Sequence, residues 1–185
     1  MTVFDEAIRF ATEVHAGQVR KGTTRPYILH PLEVATIVGM CTSDPEVLAA
    51  AVLHDTVEDG GVTKDQLAEK FGDRVASLVA DESEDKRRNL PATETWKVRK
   101  EEAIAKLEHS SMEAKLICLG DKLSNLRSID ADRREIGDAI WKRFNVTDRS
   151  MHGWYYKSLL RIFEESLEPS VPLIEYRNLC DKLFS

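Results

Sequence analysis

The sequence predicts an all-α helical bundle in a single domain, and three observations predict it. Apolar residues recur at steps of three and four along nearly the whole chain, capping side chains or prolines stand at the heads of those runs, and no β-branched stretch alternates with period two over a useful length. A chain of 185 residues can bury roughly 70% of its unfolded surface, so its core needs neither disulfides nor a structural metal.

Each element follows from local signals. Phe4, Ala7, Ile8, Ala11 and Val14 form the apolar stripe of an opening helix that stops before Gly17. His30-Pro31 starts a second helix, because proline is tolerated in a first turn where its missing N–H has no intrahelical partner. Asp44 as N-cap and Pro45 as first residue open a third, expected to run through Val47, Leu53 and His54 to Gly60-Gly61. Thr63 and Gln66 form a capping box, Leu67 and Phe71 carry its apolar face, and Gly72 ends it. Val75, Leu78 and Val79 mark a short helix, and Leu90 to Thr95 reads as a loop. A charged helix ending near His109 comes next, followed by a second capping box, Ser110 to Glu113, heading a helix through Ala114, Ile117 and Asp121 to Arg127. Trp141, Phe144, Trp154, Tyr155, Leu159 and Phe163 supply one or two more helices, and Pro169 and Pro172 set off the last segment.

Composition excludes several function classes. The net charge of −6, from 32 acidic and 26 basic residues, argues against a surface that grips a nucleic-acid polymer. Two basic stretches run the other way: Arg20, Lys21 and Arg25, and a cluster of Lys86, Arg87, Arg88, Lys97, Arg99 and Lys100. Local basicity on an acidic chain suits a small anion, although a solvated face explains the first stretch as well and the second better. Cys41, Cys118 and Cys180 lack metal or redox spacing and read as reduced core residues. The longest apolar run, Val47 to Leu53, is far short of the roughly 20 residues of a membrane span. Asp5, Glu6 and Arg9 interrupt the N-terminus where a signal peptide would be apolar, so a cytoplasmic protein is expected.

The sharpest chemical signal is His54-Asp55 followed by Glu58-Asp59. At about 100° per residue, Asp55, Glu58 and Asp59 share one helix face. Like charges so spaced repel one another and call for an external cation. A chance acidic face could account for Glu58 and Asp59, but not for His54 and Asp55, which continue a buried apolar run. Asp121 stands mid-helix on an apolar stripe with Asn125 one turn on, and a buried aspartate needs a cation or a hydrogen-bond network. His30, His54, Asp55 and Asp121 would give two nitrogen and two oxygen ligands without a thiolate. Such a set favours Mn²⁺, Fe²⁺ or a similar ion over a closed structural zinc site.

These residues resemble the H…HD…D signature of the HD superfamily of metal phosphohydrolases. Five ordered segments narrow the likeness: Arg20-Lys21, Pro26 to Pro31, Leu53 to Asp59, Phe71-Gly72 and Leu119 to Arg127. The series is similar to the hydrolase domain of the RelA/SpoT enzymes, above all to the single-domain small alarmone hydrolases. It covers residues 1–165, and residues 166–185 are expected to pack on the same domain as a C-terminal segment.

The resemblance implies an HD-type bundle that hydrolyses the guanosine polyphosphates ppGpp and pppGpp at the 3′ position, releasing pyrophosphate and GDP or GTP, with Mn²⁺ as cofactor. It implies metal ligands at His30, His54, Asp55 and Asp121, work on the attacking water by Glu58 and Asp59, and a substrate pocket lined by Arg20, Lys21 and Asn125. Tyr155 or Tyr156 matches an aromatic pocket residue, although core packing suits both tyrosines as well. Gly120 stands where the family commonly has alanine, a change expected to loosen the helix by roughly 1 kcal/mol at most. Ser83 to Lys86 resembles a Thr-Asp-Asp-Lys segment of relatives. No synthetase domain is expected within these residues. The same residue set would also serve another phosphorylated ribonucleotide such as NADPH, or a non-catalytic nucleotide-binding module. Helical periodicity leaves the oligomeric state open, with a homodimer as the guess.

Overall fold

Side-chain caps decide where most helices of this chain begin, as the computed structural model shows for the residues it describes: 2–83, 87 and 89–185. The expectations attached to Glu84, Asp85, Lys86 and Arg88 lie outside those residues. The elements are α1 (Val3–Val14), α2 (Leu29–Val38), α3 (Pro45–Leu53), α4 (Thr56–Gly60), α5 (Lys64–Phe71), α6 (Asp73–Glu82), α7 (Ala92–Glu108), α8 (Met112–Ile136), a 3-10 turn (Gly137–Arg143), α9 (Arg149–Ser166) and α10 (Val171–Phe184). Among the described residues, extended pairing is limited to an isolated antiparallel bridge between Val19 and Pro26. The bundle is therefore all-α, as the sequence predicts.

Caps at Asp44 and Thr63 form as expected. Asp44 Oδ1 accepts from the Glu46 N–H at 2.9 Å, and Thr63 Oγ1 from the Gln66 N–H at 3.2 Å. Four boundaries differ, and one is that α8 continues past the expected Arg127 to Ile136. Ser111, not Ser110, caps α8, accepting from the Ala114 N–H at 3.2 Å, because the Ser110 hydroxyl already donates to the Lys106 carbonyl at the end of α7 (2.9 Å). The loop before α7 ends at Pro91, which leaves Thr95 helical. The single helix expected from Asp44 to Gly60 is two helices, with a turn at His54-Asp55. Side chains occupy the carbonyls there: the His54 ring donates to Ala51 O at 2.8 Å, and Thr56 Oγ1 to Leu53 O at 2.7 Å. Such local bonds compete with helix continuation.

The core has two clusters joined by α8. Helices α1 to α6 surround small side chains such as Ala7, Ala11, Ala49, Ala50 and Val52. Helices α7 to α10 and the 3-10 turn surround large ones, including Trp96, Trp141, Tyr155, Phe163 and Tyr176. Helix α2 packs chiefly on α8, α1 on α3, and α10 on both α8 and α9. All three cysteines are free; Cys118 and Cys180 are buried but Cys41 only partly, so it is not the core residue expected. No helix among the described residues is long and apolar enough to cross a membrane.

Gly120 has a packing reason beyond helix propensity. A Cβ there would lie 2.8 Å from Val38 Cγ2 and 3.2 Å from the Val34 carbonyl oxygen, so the glycine lets α8 close against α2. The expected loosening of the helix is thus accompanied by a close approach that the sequence does not reveal.

Candidate metal centre and substrate cavity

Three parts of the chain bring short polar side chains to one point. His30 stands in the first turn of α2, His54 and Asp55 form the turn between α3 and α4, and Asp121 lies mid-way along α8. His30, His54 and Asp121 are 5%, 2% and 6% exposed, so each needs a partner. His30 Nε2 is 3.1 Å from Asp121 Oδ1 and 3.6 Å from Asp55 Oδ2. His54 Nε2 is 3.0 Å from Asp55 Oδ2 and 3.8 Å from Asp121 Oδ1. Two imidazole nitrogens and two carboxylate oxygens therefore face one another in a ring.

The surroundings aim each member inward. A carbonyl only accepts, so the 2.8 Å contact from His54 Nδ1 to Ala51 O places a proton on Nδ1 and turns Nε2 toward the ring centre. The Tyr27 hydroxyl donates to Asp55 Oδ2 at 2.6 Å. Asn125 Nδ2 donates to Asp121 Oδ1 at 2.7 Å, and the Lys122 ammonium pairs with Asp121 Oδ2. Buried His54 Nε2 has no hydrogen bond among the described residues: Asp55 Oδ2 is near enough for an ion pair but out of hydrogen-bond alignment.

This donor set fits a divalent cation. Ligand atoms of His30, His54 and Asp121 all lie within 4.8 Å of one another, with Asp55 beside both histidines. Oxygen and imidazole ligands without thiolate suit such an ion. Electrostatics fit too. Burial lowers the pKa of His30 and keeps its ring neutral, as a metal ligand must be. Burial opposes charge on His54 as well, but the Asp55 and Asp121 carboxylates prevail and raise it to about 9. Burial likewise opposes ionisation of Asp121, but Lys122 and the two histidines hold its carboxyl well below the usual range.

Asp55 belongs to a second group as well. Oxygens of Asp55, Glu58 and Asp59 lie within 4.8 Å of one another. Although the helix breaks, the first turn of α4 still gathers the three carboxylates on one side.

A cavity of about 790 Å³ opens beside the ring, its wall including Arg20, Lys21, Tyr27, Asp59, Asn125 and Tyr155. Arg20 Nη2 donates to Asn125 Oδ1 at 2.6 Å, so a cavity arginine reaches ligand candidate Asp121 through one amide. Glu58 is not part of that wall; it reaches the site through its turn with Asp55. Tyr155 and Tyr156 both border the cavity and both are buried in the core, so neither role excludes the other. Sequence reasoning missed Tyr27 as a partner of Asp55. It also read Lys100 only as part of a charge run, whereas its Nζ lies 4.7 Å above the Tyr155 ring in the cavity wall.

A protein-family model described as "HD domain" matches residues 7–144. A Xenopus tropicalis protein named guanosine-3′,5′-bis(diphosphate) 3′-pyrophosphohydrolase MESH1 is 42% identical over 127 residues, which cover 67% of this chain and 68% of that one. Its Homo sapiens namesake is 44% identical over 130 residues, 68% of each chain. A solved structure described as a metazoan orthologue of SpoT that hydrolyses ppGpp superposes with a TM-score of 0.76 at 27% identity, covering 98% of this chain and 96% of that one. A Listeria monocytogenes protein superposes with a TM-score of 0.74 at 32% identity, covering 84% and 98%.

Proposed function

The chain belongs to the HD-domain family, and on that premise we propose that it hydrolyses ppGpp and pppGpp at the 3′ position, giving pyrophosphate and GDP or GTP. The observation that carries this reading is the ring of His30, His54, Asp55 and Asp121 beside a cavity bordered by Arg20 and Lys21. The MESH1 proteins, alike over two thirds of their length, carry that activity in their names.

In this reading His30, His54, Asp55 and Asp121 hold one divalent ion, Mn²⁺. When bound, such an ion lowers the pKa of water and polarises a phosphoryl oxygen. The Glu58–Asp59 pair works on the attacking water, one of the two carboxylates taking its proton, a role suited to groups next to the ligand Asp55. Water adds to the phosphorus bonded to the ribose 3′ oxygen, the bond from phosphorus to that oxygen breaks, and the proton held by the Glu58–Asp59 pair passes to the leaving oxygen. Arg20 and Lys21 neutralise the phosphates. Asn125, fixed between Arg20 and Asp121, sets the phosphate-binding cation at a constant distance from the metal centre. Tyr155 supplies a flat wall for the nucleoside. We place the protein in the cytoplasm, where guanosine nucleotides are made and used.

Incubation with ppGpp and Mn²⁺, read by chromatography, should yield GDP and pyrophosphate in equal amounts. No turnover with Mn²⁺, Mg²⁺, Co²⁺, Zn²⁺ or Ni²⁺ would sink the proposal. Phosphate released from NADPH, with ppGpp left intact, would transfer the site to another phosphorylated ribonucleotide.

A further inference from the structure

The two histidines of the ring are oriented by different means. His54 is fixed by a backbone carbonyl of its own helix. His30 Nδ1 meets instead a side chain from a distant part of the chain, Ser124 Oγ on α8, at 2.8 Å. That hydroxyl lies 2.7 Å from Glu33 Oε2, one helical turn after His30. Glu33 in turn accepts from Arg127 Nη1 at 3.0 Å, and Arg127 makes a two-pronged contact with Glu175 of α10 at 2.7 and 2.6 Å.

Donor counting sets the direction of this chain of bonds. A serine hydroxyl has one hydrogen and a carboxylate has none, so Ser124 must spend its hydrogen on Glu33, which is paired with Arg127. Toward His30, Ser124 can then only accept. The ring must supply the proton from Nδ1, which leaves the Nε2 lone pair directed at the Asp55 and Asp121 oxygens. With the roles reversed, the Ser124 oxygen and a bare ring nitrogen would face each other with lone pairs at 2.8 Å, too close for anything to come between them, whereas the lone-pair contact of Nε2 with Asp121 Oδ1 at 3.1 Å is the one a bound cation relieves.

We infer that Glu33 and Ser124 are positioning residues that lock His30 in the Nδ1–H form and so present Nε2 to the metal, with Arg127 and Glu175 anchoring Glu33 to the C-terminal helix. The pair extends the metal centre beyond its ligands and ties it to α10, which lies past the residues matched by the family model. A partner behind a metal-binding histidine orients the ring and raises its basicity, and losing one commonly costs ~10–100-fold in metal affinity.

The inference rests on His30 as a metal ligand, and the test separates the two. Mn²⁺ binding is measured by calorimetry on the metal-free full chain, wild type and Ser124→Ala, a substitution that favours helix and adds no bulk. Affinity should fall ~10–100-fold and kcat should recover at saturating Mn²⁺; the metal-free protein should melt lower as well, because the buried Nδ1–H of His30 loses its acceptor. A purely structural serine would lower the melting temperature and leave the affinity alone. Glu33→Gln, which keeps an acceptor but loses the charge, should fall between the two. An affinity for Ser124→Ala within about twofold of wild type, with binding abolished in His30→Ala, overturns the inference and keeps the metal centre. Undiminished Mn²⁺ binding in His30→Ala overturns the ligand assignment itself. Nitrogen-15 NMR of the metal-free protein at mildly alkaline pH decides the tautomer without any metal: His30 protonated on Nδ1 is expected, and protonation on Nε2 overturns the lock.

Discussion

The two ends of the bundle are packed from different materials. Around α1 to α6 the core is mostly alanine and valine, and helix backbones approach closely enough that Gly120 leaves no space for a methyl group against α2. Around α7 to α10 the core holds tryptophan, tyrosine and phenylalanine, and the cavity lies along this bulky end. The difference teaches how one fold supplies both the proposed metal centre and the proposed substrate site. Imidazole and carboxylate arms are short, so three helices must meet nearly backbone to backbone before their ligand atoms converge. A nucleotide needs the opposite, wide walls that hold helices apart. Helix α8 runs through both ends, with Gly120 and Asp121 in the tight half and Asn125 bordering the cavity.

The comparison breaks most severely at the small-residue end. His54→Ala or Asp121→Ala should remove metal and turnover together, by on the order of 10³-fold or more. Metal content after gel filtration and ppGpp hydrolysis are the readouts, and a metal-free variant with wild-type rate would disprove the division of labour. One step from the ligands the effects should separate. Glu58→Gln should retain the metal and lower kcat about 10²–10⁴-fold, the range for a removed acid-base group. Full rate in that variant would take Glu58 out of the mechanism.

A pH profile sharpens the same contrast. Burial works against a charged His54 in the metal-free protein, but Asp55 and Asp121 prevail, and the ring keeps its extra proton up to about 9. An entering metal ion must displace that proton. Affinity should therefore rise about tenfold per pH unit from neutrality and level off above about 9. Calorimetry in buffers of different ionisation enthalpy would show one proton released per ion, and a flat profile would contradict the sign. At the bulky end, Lys100→Ala should raise KM by roughly 10–100-fold, the value of one charged hydrogen bond of about 1.5–3 kcal/mol, and leave metal affinity unchanged.

The tight end was the more legible half in the sequence, for physical reasons. Asp44-Pro45 and Thr63 to Gln66 are signals spanning one turn, and their caps form as read. His54-Asp55 stands out because polar groups directly follow an apolar run, and His30 because proline follows it. The turn at His54 stayed hidden: it depends on the imidazole and the Thr56 hydroxyl taking helix carbonyls, a competition that periodicity does not register. A shift of the α8 cap by one residue has the same origin, since the hydroxyl of Ser110 is spent on α7. The relay from Ser124 to Glu33 joins residues 91 positions apart, and no local pattern marks either. Tyr27 and Lys100 acquire their places only when the chain folds back on itself.

The smallest expected effect tests whether close approach is what the metal end requires. Gly120→Ala gains about 1 kcal/mol of helix propensity. Against that gain, the new methyl would sit 2.8 Å from Cγ2 of the buried, stiff Val38 side chain and 3.2 Å from the Val34 carbonyl, which is backbone and yields only if α2 and α8 separate. Overpacking of this kind costs about 1–3 kcal/mol, so the net should be a loss of about 1 kcal/mol. In a protein of this size that lowers the melting temperature by about 2–4 °C. Separation of the helices would also carry Asp121 away from His30, now 3.1 Å from it. Mn²⁺ affinity should therefore drop more than the stability loss alone explains. If Gly120→Ala instead raises the melting temperature and binds Mn²⁺ as tightly as wild type, the glycine is only a weak point in α8, and the tight packing of that end is not what brings the ligands together.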